Sequence, residues 1–190
     1  MFESLIQKDK ELLIFLNNLG SEQWDSFWLV ITNQFYWTPL FLFVFYLVIK
    51  AFGWKRGGFM ILSLILLVAF SDQFVNLIKD TIGRLRPNND PDVMERLRLS
   101  LREFTNPQSK SFISGHATTS TFFAVYVVLL LRNTFKNTYF LLLFPLLFAY
   151  SRLYLGVHFP LDIFVGVLTG ITLANLYYAL VQKVDKKLFT

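Results

Sequence analysis

The chain of 190 residues contains no cysteine, so it can form neither a disulfide nor a thiolate metal site, and its redox compartment is not legible. Charge is scarce, with Asp, Glu, Lys and Arg making up 16% of the residues, and histidine occurs twice. No internal repeat, low-complexity tract or nucleic-acid motif occurs. The basic residues behind the net charge of +5 are not gathered into one run, so a nucleic-acid partner is not expected. The opening stretch, MFESLIQKDKELLIFLNNLG, carries acids at once and shows no small-residue cleavage site, so it does not read as a secretory signal.

Apolar residues fill the space instead, at 54% of the chain, with 22 phenylalanines. They come in long runs without alternation or amphipathic rhythm, which points to membrane helices and not to a soluble core. Five stretches approach the ~20 residues needed to span a bilayer: Tyr36–Phe52, Phe59–Lys79, Ser114–Leu131, Thr138–Leu155 and Leu161–Val181. Trp24–Thr32 is a shorter sixth candidate. The expected fold is all-α, a single domain over residues 1–190 built as a polytopic membrane helical bundle of five to six spans plus interfacial helices. Pro39 and Pro160 stand near span starts, where a missing N–H does no harm, and Pro145 stands where it is expected to kink the fourth span. Within residues 1–20, Leu5, Ile6, Leu12, Leu13 and Leu16 share one helical face up to Gly20, giving either an interfacial helix or a helix packed on the rest.

The connections differ in charge. Gly53–Gly58 (GWKRGG), Arg132–Asn137 and the tail with Lys183, Lys186 and Lys187 are basic and almost free of acid. The positive-inside rule places them in the cytoplasm. Five crossings then put the N-terminus, the 80–113 connection and the Ser151–Pro160 turn outside, facing the periplasm or exterior of a bacterial inner membrane. In the long connection, Val93, Met94, Leu97, Leu101 and Phe104 fall at helical spacing, with Glu95, Arg96, Arg102 and Glu103 off that face. This pattern predicts a helix lying on the membrane surface.

Three polar clusters lie on that outer side. KDTIGRLRP supplies Lys79, Arg84, Arg86 and Pro87 at the end of the second span, and Asp72, Asn76 and Lys79 form a stripe leading to it. A lone lysine or arginine there would read as snorkelling to the interface, the use expected for Arg84. SFISGHATTS opens the third span with Ser114, Gly115 and His116. A helix start offers unpaired N–H groups to an anion, and glycine lets a ligand approach, although Ser114 alone could serve as a cap. SRLYLGVHFPLD supplies Arg152, His158 and Asp162, with the carboxylate four residues past the imidazole and able to fix its tautomer. Taken singly, each histidine reads as structural. Together the clusters gather three cations (Lys79, Arg86, Arg152), an anion-binding helix start and both histidines on one face. Such crowding calls for a counter-anion, and phosphate fits the donors. Two histidines suit a nucleophile and a general acid.

In order and spacing, Lys79-x6-Arg86-Pro87, Ser114-Gly115-His116 and Ser151-Arg152-x5-His158-x3-Asp162 resemble the three-part signature of the type-2 phosphatidic acid phosphatase superfamily. One position departs: Ile113 stands where the family usually has proline, a residue that shapes the turn and does no chemistry. The resemblance implies a metal-independent, cofactor-free lipid phosphate or pyrophosphate phosphatase. In it His158 attacks phosphorus to form a phosphohistidine, Asp162 orients His158, and His116 protonates the leaving oxygen and then helps activate water. Lys79, Arg86, Ser114, Gly115 and Arg152 hold the phosphoryl oxygens. The expected partners are the lipid phosphate and membrane lipids, with no obligatory protein partner. By analogy with small family members the substrate expectation is undecaprenyl pyrophosphate, with lipid A phosphate, phosphatidylglycerol phosphate and phosphatidic acid as alternatives. The rival readings are a halide peroxidase, a metallohydrolase built on the two histidines, and a transporter or lipid-binding protein. The first is opposed by the apolar spans, since such peroxidases are soluble, and the transporter by the few ionisable groups elsewhere in the last three spans.

Overall fold

The computed structural model describes residues 2–98, 106 and 108–189. The α-helices are α1 (Phe2–Asn18), α2 (Glu22–Thr32), α3 (Thr38–Ile82), α4 (Gly115–Leu131), α5 (Leu143–Tyr154) and α6 (Pro160–Phe189), joined in part by 3-10 turns. Among the described residues there is no strand, only an isolated antiparallel bridge between Leu85 and Lys110. Helix α4 is apolar around its circumference and sits at the centre, packed against α3, α5 and α6. The main core joins Val48, Met60 and Leu64 of α3 to Phe122 and Tyr126 of α4, Phe144 of α5 and Ala174 of α6.

Helix α3 is broken once, at Gly53, whose φ of 72° and ψ of 175° suit glycine and almost nothing else. The two arms, 38–52 and 54–82, fold back on each other there. A Cβ built on Gly57 would stand 3.1 Å from Ile49 Cα, whereas eight residues of straight helix would separate them by ~12 Å. The GWKRGG connection is therefore mostly helical, and one residue makes the reversal. At the opposite end Gly83 (φ 69°) closes α3, donating its N–H to the Lys79 carbonyl at 2.9 Å.

Helices α4 and α6 approach through Gly166, Gly170 and Ala174, a small-residue stripe at four-residue spacing. A Cβ on Gly170 would lie 2.6 Å from the Thr118 carbonyl oxygen, and one on Gly166 would lie 3.1 Å from that of Ser114.

Two local expectations change, and a third that was left open is decided. Pro145 kinks nothing: the fourth apolar stretch begins as a 3-10 segment (Lys136–Leu142), and α5 starts at Leu143, so Pro145 falls in its first turn. Val93 and Leu97 do not face lipid. They are buried with Leu13, Ile14, Leu153 and Phe159, and the only helical turn around them among the described residues is the 3-10 segment Met94–Arg96; Leu101 and Phe104 lie outside the described residues. For α1, packing is directly visible. Asp9, Leu13 and Asn17 form a buried stripe, while Leu5, Leu12, Phe15 and Leu19 point outward.

Two helical stretches, Gln34–Ile82 and Pro160–Phe189, are long and apolar enough to cross a membrane, and α4 is a shorter apolar helix. Their outer surfaces expose Leu42, Phe43, Leu62, Leu66, Phe164 and Leu176, a quantity of hydrocarbon that water-soluble surfaces seldom carry.

Candidate active site

The site is assembled at the end of the bundle where α3 stops, α4 and α6 start and α5 stops. Helix α4 begins in a loop whose backbone is tied to its neighbours. Ser114 N–H donates to the Asp162 carbonyl (3.1 Å), and Ser111 N–H donates to the Arg84 carbonyl (2.9 Å). Ser114 is fully buried, and its Oγ accepts the Ala117 N–H at 3.3 Å, so in this resting structure it acts as the helix cap. Ile113, in the place of the usual proline, is buried too. Gly115 follows as the first residue of α4, and a Cβ there would stand 3.4 Å from Val75 Cγ1 and 3.8 Å from Lys79 Nζ. The backbone at this helix start therefore faces the Lys79 ammonium across a space that a side chain would narrow.

His158 lies in the α5–α6 turn and is almost completely buried. Its Nδ1 has no hydrogen-bond partner within reach and stands 3.5 Å from Asp162 Oδ2. That distance is long for a bond, but catalytic contacts of this kind commonly tighten when substrate arrives. Burial first, then the charges of Arg152, Arg86 and Lys79, hold the imidazole well below its ordinary pKa, while the Ser111 backbone pulls the other way. All three expected phosphate-binding cations are thus near enough to act on the charge of this one histidine. His158 is therefore neutral at neutral pH, the form with a lone pair to donate.

His116, one residue into α4 from Gly115, stacks its ring on Phe148 with centroids 4.5 Å apart and planes 27° from parallel. The Thr32 backbone carbonyl is in hydrogen-bonding reach of the ring. Arg152 donates through Nη1 to Thr32 Oγ1 at 2.5 Å, so the end of α2 supports both residues. The Nε atoms of Arg152 and Arg86 are buried and have no partner among the described residues. Burial lowers the Arg86 guanidinium below its ordinary value, against the opposing pull of Asp162. A buried donor without a partner is costly. Two of them on neighbouring cations are donors of the kind that suit an anion's oxygens.

Beside Lys79 and Arg86 lies an open cavity of ≈ 480 Å³, whose other walls are Asn76, Asp80, Gln108, Ser109 and Lys110. Asn76 donates to Asp72 at 3.4 Å, as their shared stripe predicts, and Lys110 is held to Leu85 by the isolated bridge. Among the described residues no group of three or more His, Asp or Glu side chains is arranged to hold a metal ion.

Three residues of the site escaped sequence reasoning. Arg84, expected to snorkel, instead donates to Asp162 Oδ1 at 2.8 Å and to Asp9 Oδ2 at 2.7 Å. Asp9 lies in α1 and is buried, and its Oδ1 accepts the Leu161 N–H at 2.8 Å, capping α6. Thr32 is the third. Their partners lie 75 to 152 positions away along the chain, so no local pattern could have pointed to them.

Known proteins are similar to this chain in sequence and fold. The chain is 30% identical to a lipid A 4'-phosphatase of Bacteroides thetaiotaomicron over 189 residues, covering 99% of this chain and 83% of the relative. It is 28% identical to a lipid A 4'-phosphatase of Porphyromonas gingivalis, over 93% of this chain and 74% of that one. The crystal structure of Aquifex aeolicus LpxE superposes with a TM-score of 0.63 at 26% identity, covering 89% of this chain and 93% of that one. A transmembrane PAP2 type phosphatidylglycerolphosphate phosphatase from Bacillus subtilis shares the fold, with a TM-score of 0.67 at 21% identity over 97% of this chain and 88% of that one. Together with the apolar helices, these likenesses indicate an integral membrane protein. A family model described as the PAP2 superfamily matches residues 59–186, a stretch that holds all three polar clusters. That match covers well over half of the sequence, and with it the chain belongs to the PAP2 superfamily and is a lipid phosphatase, a phosphoric monoester hydrolase.

Proposed function

We propose that this phosphatase removes a phosphate ester from the sugar head group of lipid A. The observation that carries the phosphoryl site is the pair of buried, unpartnered Nε atoms of Arg86 and Arg152 on cations that converge on neutral His158. The likeness to two lipid A 4'-phosphatases moves the substrate reading from the undecaprenyl pyrophosphate expected from sequence to the lipid A alternative. The cavity supports it. Beyond Lys79 and Arg86 its walls offer the Asn76 and Gln108 amides, the Ser109 hydroxyl and the Lys110 ammonium, groups suited to sugar hydroxyls and a polar head group.

In this reading the phosphoryl oxygens sit between Lys79, Arg86, Arg152 and the Gly115 N–H, which stabilise the charge that builds in the transition state. The Ser114 hydroxyl can turn from its capping role to join them. Asp162 faces Nδ1 of His158, so Nε2 attacks phosphorus while the bond to the lipid oxygen breaks. His116 gives that oxygen a proton. The phosphohistidine is then cleaved by water, whose proton returns to His116 as the P–N bond breaks and inorganic phosphate leaves. Five membrane crossings, with the α3 hairpin counted as two, would place this mouth on the extracytoplasmic side of a bacterial inner membrane.

The test is phosphate release by the full chain in detergent micelles from lipid A, undecaprenyl pyrophosphate, phosphatidylglycerol phosphate and phosphatidic acid, with chelator present. The expected result is turnover in chelator, with the highest kcat/KM on lipid A. A clear preference for the polyprenyl pyrophosphate would reject the substrate reading. Loss of activity restored by one divalent metal would reject the metal-free mechanism.

A further inference from the structure

We infer that Arg84 and Asp9 are positioning residues for Asp162, so that α1 is a working part of the active site. The inference rests on the proposed roles of His158 and Asp162. The Asp162 carboxylate has two oxygens with separate duties. Oδ1 accepts from Arg84 Nη1 at 2.8 Å, while Oδ2 accepts the Phe159 N–H at 2.9 Å and is the oxygen 3.5 Å from His158 Nδ1. Rotation of the carboxylate would break the charged bond to Arg84. The fork therefore fixes which oxygen faces the imidazole.

Arg84 is itself fixed on three sides. Its Nη2 donates to Asp9 Oδ2 at 2.7 Å, its guanidinium lies 3.8 Å above the Phe159 ring, and its backbone carbonyl accepts the Ser111 N–H. Asp9 also holds the backbone of the same turn through the Leu161 N–H. The segment from His158 to Asp162 is thus pinned through the N–H of Phe159, the N–H of Leu161 and the ring of Phe159. Both carboxylates are buried and Arg84 is the one cation bridging them among the described residues, so the three groups act as a unit. Burial raises the Asp9 carboxyl above its ordinary range, and the Arg84 bond opposes that rise.

A role as mere fold cement makes a different prediction from a role in positioning. Among the described residues, the charged or titratable groups facing His158 are Asp162 of α6, Lys79 of α3, Arg86 of the following loop, Arg152 of α5 and His116 of α4. Arg84 and Asp9 stand behind Asp162. Removing the Arg84 charge leaves the Asp162 charge less compensated, which favours the imidazolium and moves the acid limb of kcat/KM to higher pH. Removing the Asp9 charge releases Arg84 to act on Asp162 alone and moves the limb to lower pH.

The experiment measures kcat, KM, the pH profile and the melting temperature of full-length Arg84→Gln, Arg84→Lys and Asp9→Asn on lipid A in mixed micelles, beside wild type and His158→Ala. For Arg84→Gln kcat should fall about tenfold to a hundredfold, the usual cost of losing a partner that orients a reacting group. Its KM should stay within about twofold, since no substrate contact is removed. The limb should rise by roughly half a pH unit or more. Arg84→Lys, which keeps charge without the fork, should recover the limb but not all of kcat. Asp9→Asn should shift the limb the opposite way, and it carries the test if Arg84→Gln does not fold. Wild-type kcat and limb in these variants, or a fall in melting temperature with an unmoved limb, would overturn the inference alone. An active His158→Ala would overturn it together with the proposed chemistry.

Discussion

Two arginine sites at opposite ends of the bundle use the same chemical groups for different ends. Far from the active site, Arg56 of α3 grips Asp185 of α6 through both Nε (2.8 Å) and Nη2, and the carboxylate is buried. Nearby hydroxyls are paired as well: Tyr126 meets Ser63 at 2.6 Å, and Tyr177 donates to the Ser63 carbonyl at 2.9 Å. Every one of these donors has its acceptor, and the result is a strut. At the other end Arg86 and Arg152 keep buried Nε atoms without acceptors among the described residues, next to Lys79 and a neutral His158. A cation that is satisfied by the protein holds the protein together. A cluster with donors that the described residues leave unpaired can offer them to a ligand.

Breaking the unsatisfied end has the largest expected consequence. His158→Ala should remove turnover by on the order of 10⁶-fold, the scale for losing a nucleophile, and abolish any acid-labile phosphoenzyme on a denaturing gel. Arg152→Ala or Arg86→Ala should lower kcat/KM by roughly a hundredfold, as loss of one transition-state donor does, with the melting temperature unchanged or raised because crowded positive charge is relieved. The pH profile sharpens the comparison. His158 is held below its ordinary value, so the nucleophile stays neutral as pH falls through the usual imidazole range. Activity should be lost only at lower pH, and the acid limb of kcat/KM, which reports the free enzyme, should lie below ~6.5. At the satisfied end, Arg56→Met should strand the buried Asp185. Because Arg56 is partly exposed, the cost should be about 1–3 kcal/mol in denaturant unfolding, with kcat on lipid A unchanged.

The two ends were also unequally legible. The phosphoryl site could be read from sequence because its chemistry demands fixed residue types at short spacing: Lys79 and Arg86 at a helix end, Ser114-Gly115-His116 at a helix start, His158 and Asp162 one turn apart. The structure brings these seven positions, with Arg152, to one end of the bundle. The supports were silent. Asp9, Thr32 and Arg84 look like ordinary surface or interface residues until tertiary packing supplies their partners. Helix periodicity also misled where the packing partner was unknown. Val93 and Leu97 form an apolar face, and a face cannot report whether it meets lipid or protein. The strut between Arg56 and Asp185 spans 129 positions and left no local trace either.

The glycines of α6 carry a last consequence. Gly166 and Gly170 hold no side-chain atoms against α4, and that lack sets how near the His116 helix lies to the helix bearing Asp162. One methyl at position 170 would meet backbone, which cannot swing aside as a side chain can. Gly170→Ala would act as a shim, wedging the two helices apart and unseating the reaction from more than a full helical turn away.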